Sequence, residues 1–93
     1  MAILSFDDTD TEALFRGDRV KRFVNIEAAA MRKLAMLNRA AVLADLLVPP
    51  GNRLEALKGG MKGQHSIRIN DQFRVCFVWT INGPKNMAIV DYH

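Results

Sequence analysis

Residues 64–77 read Gln-His-Ser-Ile-Arg-Ile-Asn-Asp-Gln-Phe-Arg-Val-Cys-Phe, and this alternation of apolar and polar residues predicts a β-hairpin. The apolar side chains occupy odd positions, so they share one face if Ile69 pairs with Phe73 around a short loop. The same register places Arg68 directly opposite Arg74 on the other face. Like charges paired across a sheet are destabilising, so we expect an anion between the two guanidiniums. A phosphate fits because each guanidinium presents a fork of donors matched to phosphate oxygens, and the hairpin therefore predicts a phosphodiester site.

Length and composition indicate a single globular domain. The chain of 93 residues can bury one modest core, so we expect one domain over residues 1–93. Its lone cysteine, Cys76, cannot form an internal disulfide and is expected to be a small apolar residue in a strand. The apolar start of the chain lacks the basic region of a secretion signal, and no apolar run reaches the length of a membrane span. These features favour a cytoplasmic protein that does not contact membranes.

The formal net charge of +3 conceals an uneven distribution of charge along the chain. Residues 1–15 carry four acidic residues and no basic one, whereas residues 16–93 carry all 13 basic residues against 6 acidic ones. A basic body suits a polyanion, because each phosphate contact releases condensed counterions. The acidic residues have a structural explanation, since they lie in the first turn of a predicted helix, where the helix dipole favours them. The excess of basic residues favours a nucleic-acid ligand but does not by itself establish one.

Two helices are predicted in the first half of the chain. Residues 9–12 have the spacing of a capping box, and a short helix is expected to continue from them until Gly17. Asn25 is a suitable N-cap for a longer helix from Ile26 to about Ala44, in which alanine and leucine recur at helical spacing. Two consecutive prolines follow and end the helical structure, because proline cannot continue a helix and restricts the residue before it.

The strands are predicted mainly in the second half of the chain. One short strand is expected at residues 2–6, and four more at residues 53–57, 64–70, 73–80 and 87–92, with a turn at residues 82–84 before the last. Helices and strands in separate blocks are typical of an α+β fold. We therefore expect a small antiparallel sheet with two N-terminal helices packed on one face, against the odd-numbered residues of the hairpin. The face that carries the two arginines is expected to stay open.

Further candidate site residues lie outside the hairpin. Lys58 and Lys62 flank two glycines, in a loop where backbone amides can approach an anion closely. A solvated turn is the better explanation for Lys62, whereas for Lys58 the two explanations are equal. Arg53 and Lys62 are expected to bind the substrate. Tyr92 and His93 end a strand that neighbours the hairpin and offer a phenol and an imidazole, although a terminal histidine is usually frayed.

These residue types suit the cleavage of RNA. The ribose 2′-OH attacks its own 3′-phosphate, a base removes the 2′ proton, an acid protonates the leaving 5′-oxygen, and cations offset the charge on the phosphorane. The five candidates that could fill these roles without a metal or another cofactor are Lys58, Arg68, Arg74, Tyr92 and His93. DNA would be refused because it has no 2′-OH.

Three segments resemble the HigB branch of the RelE toxins. They are Pro-Pro-Gly-Asn-Arg-Leu-Glu-Ala-Leu-Lys-Gly at residues 49–59, the hairpin with its preceding glycine at residues 63–77, and the terminal Val-Asp-Tyr-His at residues 90–93. The resemblance extends over the whole chain. It implies a RelE-like fold and a ribosome-dependent mRNA endonuclease, held inactive by a co-encoded helix-turn-helix antitoxin of the HigA type. The pair would bind operator DNA only through the antitoxin. The resemblance also places Lys58, Arg68, Arg74, Tyr92 and His93 in the active site.

Two departures from that family leave a second function open. Gly60 and Met61 stand where the family usually has an acidic or polar residue followed by a basic one, and Phe73 stands where tryptophan is commoner. The missing cation at Met61 favours a RelE-like module that cleaves weakly and acts as a co-repressor or a nucleic-acid-binding partner. A basic α+β protein with no nucleic-acid role is the third interpretation.

Overall fold

The computed structural model describes residues 2–91. It contains helices α1 (Thr9–Phe15) and α2 (Glu27–Arg39) and strands β1 (Glu55–Ala56), β2 (His65–Arg68), β3 (Phe73–Thr80) and β4 (Gly83–Asp91). Short 3-10 helices occur at Lys21–Ile26, Leu43–Leu47, Pro50–Asn52 and Gly59–Met61. The strands form one antiparallel sheet in the order β1-β2-β3-β4, so the predicted α+β class is confirmed. No helix within residues 2–91 is long and apolar enough to cross a membrane.

The hairpin between β2 and β3 has the predicted register. Arg68 pairs with Arg74, and the amide of Ile69 donates to the carbonyl of Phe73 at 2.9 Å. The side chain of Asn70 closes the loop, because its Oδ1 accepts hydrogen bonds from the amides of Gln72 and Phe73. This side-chain acceptor takes the place of backbone acceptors from a paired strand at the turn. Strand β2 therefore ends at Arg68, two residues before the predicted end at Asn70.

The core lies between the helices and the odd-numbered face of the hairpin. Ile67, Val75 and Phe77 are fully buried there. The helical layer contributes further fully buried apolar residues, and these are Phe23, Ala30, Leu34 and Leu37. The prediction that the helices pack on this face of the sheet is confirmed.

Helix α1 forms where predicted, but its cap differs. The N-cap is Asp8 and not Thr9, since the Asp8 carboxylate accepts a hydrogen bond from the amide of Asp10 at 3.3 Å and from the Thr11 hydroxyl at 2.5 Å. Thr11 in turn accepts a hydrogen bond from the amide of Ile89 at 2.9 Å. This contact gives an edge amide of β4 a partner and fixes α1 against the sheet.

Helix α2 is shorter than predicted at both ends. Asn25 does not cap it, because this residue lies inside the 3-10 helix that precedes α2. At the other end the backbone leaves the helix at Ala40 (φ −59°, ψ 132°), and the amides of Ala41 and Val42 donate to the Asp45 carboxylate at 2.8 and 3.2 Å. A local acceptor of this kind competes with the helical hydrogen bonds and explains the early end.

The predicted strand at residues 2–6 is wrong. This segment forms no regular ladder within the described residues: it makes an isolated parallel bridge between Phe6 and Met87, beside a bulge in β4, and the amide of Leu4 donates to the carbonyl of Pro84 at 2.8 Å. Asn86 lies at the bulge with a φ of 57°, and its side chain accepts a hydrogen bond from the Ser5 hydroxyl. The bulge interrupts the regular backbone of β4, so the hydrogen bonds from the N-terminal segment, at Pro84 and at Met87, do not form a continuous ladder.

The two outer strands differ in length from the prediction. Strand β1 keeps only two of the expected residues at 53–57, because the 3-10 helix Pro50–Asn52 leads directly into it. Strand β4 starts earlier than expected, at Gly83, after a tight turn at Ile81 and Asn82. Pro84 is tolerated in this strand because β4 is an edge strand, where a missing amide donor need not break the sheet.

Candidate active site

Oxygen atoms of Arg53, Glu55 and Ser66 hold Arg74 in one orientation. Its Nε donates to the Ser66 hydroxyl at 2.8 Å, and its Nη2 donates to the carbonyls of Arg53 and Ser66 at 2.7 and 3.3 Å. The same nitrogen lies 3.6 Å from a carboxylate oxygen of Glu55. Arg74 is only 8% exposed, so these oxygens replace most of the water that a guanidinium would otherwise bind.

The expectation of an open arginine face is wrong at this position. Ser66 is fully buried beside Arg74, and Cys76 is 1% exposed on the same face of the sheet. Burial raises the pKa of the Cys76 thiol, which agrees with the predicted role of a small apolar residue. The Arg74 guanidinium therefore lies in a covered site at the side of the sheet away from the helices.

Arg68 faces Arg74 across the hairpin but has its own acidic partner. Its Nη2 is ion-paired with the carboxylate of Asp71 in the hairpin loop. Asp71 is almost fully exposed and the Arg68 side chain is 33% exposed, so this ion pair is screened by water and is weak. The two guanidiniums are thus balanced separately by Asp71 and Glu55, and a phosphate could replace the exposed Asp71 without uncovering a buried charge.

Glu55 is the residue that sequence reasoning missed. It pairs with Ser66 in the β1–β2 register, which brings its carboxylate to Arg74, and the Glu55 side chain is 49% exposed. The alternation of residues 54–57 gives a weak signal for a strand. To predict that Glu55 lies opposite Ser66, one must also know the path of the loop between the two strands. The alternation of apolar residues does not provide that path.

The loop after β1 holds both candidate lysines at the surface. Lys58 and Lys62 are exposed on either side of the 3-10 helix Gly59–Met61. The amides of Met61 and Lys62 donate to the carbonyls of Lys58 and Gly59 at 3.3 and 3.1 Å. These two amides are therefore used inside the loop, and the lysine side chains are the groups that it presents to a ligand.

Three cations of the candidate site make no ion pair with any other residue in the range 2–91: Arg53, Lys58 and Lys62. The N-terminal acidic residues are balanced elsewhere, since Arg22 donates to the carboxylates of Asp8 and Asp10, both at 2.8 Å. The three cations precede or follow β1 in the chain, and none of them has a carboxylate partner among the described residues.

Two candidates lie outside the described residues, namely Tyr92 and His93. The last described residue, Asp91, is exposed, pairs with Phe73 in the sheet, and accepts a hydrogen bond from Gln72 at 3.0 Å. His65 packs on the opposite face from Arg74, against the Phe77 ring, as its position in the alternation predicts. Within residues 2–91, no three His, Cys, Asp or Glu side chains come together as metal ligands would.

Comparisons with known proteins agree with this fold and identify the family of the chain. The family described as a RelE-like toxin of the type II toxin-antitoxin system HigB matches residues 4–93. Toxin HigB-1 of Vibrio cholerae serotype O1 is 40% identical over 92 residues, which cover 97% of this chain and 96% of that protein. An uncharacterized protein of Haemophilus influenzae is 31% identical over 86 residues, covering 81% of this chain and 85% of its own. The solved structure of a YoeB/ParE toxin from Agrobacterium tumefaciens matches over the full length of both chains, with a TM-score of 0.51 at 20% identity.

The likeness to the YoeB/ParE structure shows that the chain shares its small α+β fold. The family match and the curated relative are more specific: the chain belongs to the HigB-like toxins of type II toxin–antitoxin systems. The resemblance found in the sequence is confirmed. A toxin of this type has an antitoxin partner.

Proposed function

We propose that this HigB-like toxin is an endoribonuclease that cleaves translated mRNA on the ribosome. The observation that carries the proposal is the Arg74 guanidinium, fixed by Ser66 and Arg53 beside the Glu55 carboxylate. A fixed donor group costs no reorganisation when charge develops on the phosphorane, and such groups are often the largest single contribution to catalysis.

Proton transfer needs a base near the 2′-OH and an acid near the leaving 5′-oxygen. Glu55 supplies a half-exposed carboxylate within 3.6 Å of Arg74, so it can accept a proton next to the bound phosphate. Lys58, Tyr92 and His93 are the remaining groups that can hold or deliver a proton. Cleavage by the 2′-OH needs no metal ion for any of these steps.

Substrate binding falls to the exposed cations around Arg74. Arg53 and Lys62 make no ion pair within residues 2–91, so a phosphate backbone can bind them without breaking an existing contact. Arg68 joins them by exchanging Asp71 for a phosphate oxygen, because its present ion pair is exposed and weak. Arg53 and Arg68 lie beside the fixed Arg74 guanidinium, since the Arg53 carbonyl accepts a hydrogen bond from it and Arg68 pairs with Arg74 across the hairpin. This arrangement suits a nuclease better than a protein that only binds.

The partner is a helix-turn-helix antitoxin of the HigA type, which blocks the toxin and carries the pair to operator DNA. The protein acts in the cytoplasm, where translating ribosomes and mRNA are found. A catalytically weak co-repressor is the second candidate function. Met61 favours this second function, because its half-buried, uncharged side chain stands where the family usually supplies a cation near the substrate.

Cleavage of a defined mRNA by the purified toxin tests the proposal. The same transcript is incubated with the toxin either on translating ribosomes or as free RNA. The proposal predicts cutting on ribosomes, little cutting of free RNA, and full inhibition by the cognate antitoxin. An antitoxin complex that forms normally while neither RNA is cut would favour the co-repressor, and equal cutting of both would remove the ribosome from the proposal.

A further inference from the structure

Arg53 has a backbone conformation that non-glycine residues seldom adopt. Its φ of 47° and ψ of 53° lie in the left-handed region, which is unfavourable for a residue with a Cβ atom. Such a conformation persists only where the surrounding structure holds it. Here it directs the Arg53 carbonyl to Nη2 of Arg74, at 2.7 Å.

The groups that hold this conformation converge on Asn52. Asn52 is fully buried, and its Nδ2 donates to the carbonyl of Leu46 at 3.0 Å and lies 3.4 Å from that of Val48. Its backbone amide donates to the Pro49 carbonyl at 3.0 Å, within the 3-10 helix that ends at Arg53. The buried amide thus ties the turn to the segment that follows α2.

The other end of the Asn52 amide is bound to helix α2. Its Oδ1 accepts a hydrogen bond from Nζ of Lys33 at 2.5 Å. Burial, together with the nearby charges of Arg32 and Arg68, lowers the pKa of Lys33. A continuous series of contacts therefore runs from Lys33 through Asn52 and the Arg53 carbonyl to Arg74.

We propose that Asn52 is a positioning residue for Arg74: its buried amide fixes the left-handed turn at Arg53, whose carbonyl orients the guanidinium. Lys33 supports Asn52 from helix α2. The effect on catalysis rests on the proposed nuclease function, whereas the effect on the orientation of Arg74 does not. In this proposal, the Pro-Pro-Gly-Asn-Arg segment at residues 49–53 forms the turn that orients Arg74.

Two variants and a matched control test this proposal. Asn52→Ala removes the buried amide, and Lys33→Met removes only its outer hydrogen bond while keeping the aliphatic stem. Arg32→Met is the control, because Arg32 is the exposed neighbour of Lys33. This substitution also removes one positive charge from helix α2 but leaves the hydrogen bond to Asn52 in place. In single-turnover cleavage on ribosomes, Asn52→Ala should lower the rate at saturation by about tenfold or more, since small misplacements in an active site have such effects. Lys33→Met should lower it by less, and Arg32→Met should leave it unchanged.

Two further readouts separate positioning from a purely structural role. Asn52→Ala should add little to the loss caused by Arg74→Lys, because residues that act as one unit are not additive. The Nε–Hε signal of Arg74 in a ¹H–¹⁵N spectrum, assigned with Arg74→Lys, should exchange slowly in the parent, since this group donates to Ser66. It should shift and exchange faster in Asn52→Ala and Lys33→Met but not in Arg32→Met.

The possible outcomes are distinguishable. If the parent toxin does not cut mRNA, the proposed function fails, and the Arg74 signal alone decides whether Asn52 positions it. If the parent cuts and a folded Asn52→Ala has the parent rate with an unchanged Arg74 signal, the inference is overturned. Fully additive losses in the Arg74→Lys background would also overturn it. Should Asn52→Ala not fold, Lys33→Met decides, and a parent-like rate and signal in that variant would contradict the proposal.

Discussion

Arg74 donates to the Ser66 hydroxyl and to two backbone carbonyls, and these contacts bury it on a sheet face that the hairpin pattern alone predicts to be open. The pairing of Arg68 with Arg74 could be predicted because strand alternation fixes which residues share a face. The burial of Arg74 could not, since it depends on Glu55 and on the Arg53 carbonyl, which come from a distant segment. The sequence pattern thus predicted the register of this candidate site residue but not the oxygens that hold it.

Replacing Arg74 with lysine keeps the charge and removes the forked donors. We expect Arg74→Lys to lower the cleavage rate by about 100-fold, the usual effect of losing one preorganised donor. The free energy of unfolding should also fall, by about 1–3 kcal/mol, because Ser66 and Arg53 lose buried hydrogen bonds. Cleavage kinetics and urea denaturation measure the two effects. A Lys variant as active as the parent would show that only bulk charge matters, and one that does not fold would make Arg74 mainly structural.

The two terminal residues allow a second prediction at this scale. Deleting His93 should leave the unfolding midpoint almost unchanged if its imidazole serves catalysis and not the fold. The same deletion should weaken cleavage markedly, and Tyr92→Phe should do so through the loss of one hydroxyl. Growth inhibition is the readout, and binding of the antitoxin controls for a folded protein. If the variant without His93 is as toxic as the parent, His93 does not transfer protons, and this role is left to Glu55 and Lys58.

At the scale of elements, the accuracy of prediction followed the strength of the local pattern. Strand β3 begins and ends where predicted, because residues that favour strands run from Phe73 to Thr80 and residues that favour turns flank them on both sides. Helix α2 ends before the predicted Ala44, because the Asp45 carboxylate offers the backbone another acceptor. Spacing of apolar residues does not reveal such competition, and Ala41 and Ala44 are exposed in the structure.

The role of Asp45 predicts a pH effect on stability. Hydrogen bonds from the amides of Ala41 and Val42 lower the pKa of Asp45. A carboxyl whose folded pKa lies below its unfolded value stabilises the protein above the unfolded pKa, and this contribution disappears as the pH falls through the folded pKa. Asp45→Asn should therefore unfold at lower urea than the parent at neutral pH, and the difference should shrink below about pH 4. Asp18→Asn, at an exposed position, is the control; an Asp45 difference that persists unchanged in acid would contradict the account.

At the scale of the whole molecule, the acidic residues near the N-terminus are paired locally, whereas cations of the candidate site are not. Arg22 balances Asp8 and Asp10 at the start of α1. Arg53, Lys58 and Lys62, which precede or follow β1 in the chain, make no ion pair within residues 2–91. The overall fold could be predicted from the block order of helices and strands. The β1–β2 register could not, because a 3-10 helix in the intervening loop determines which residues pair.

The ends of the cleaved RNA test the central claim most directly. Transcripts cut on ribosomes by the parent toxin are recovered, and both new ends are identified chemically. Attack by the 2′-OH leaves a 5′-hydroxyl on one fragment and a 2′,3′-cyclic phosphate or 3′-phosphate on the other, and we expect these ends. Fragments with a 5′-phosphate and a 3′-hydroxyl would show that water and not the ribose attacks the phosphate, and would contradict the account.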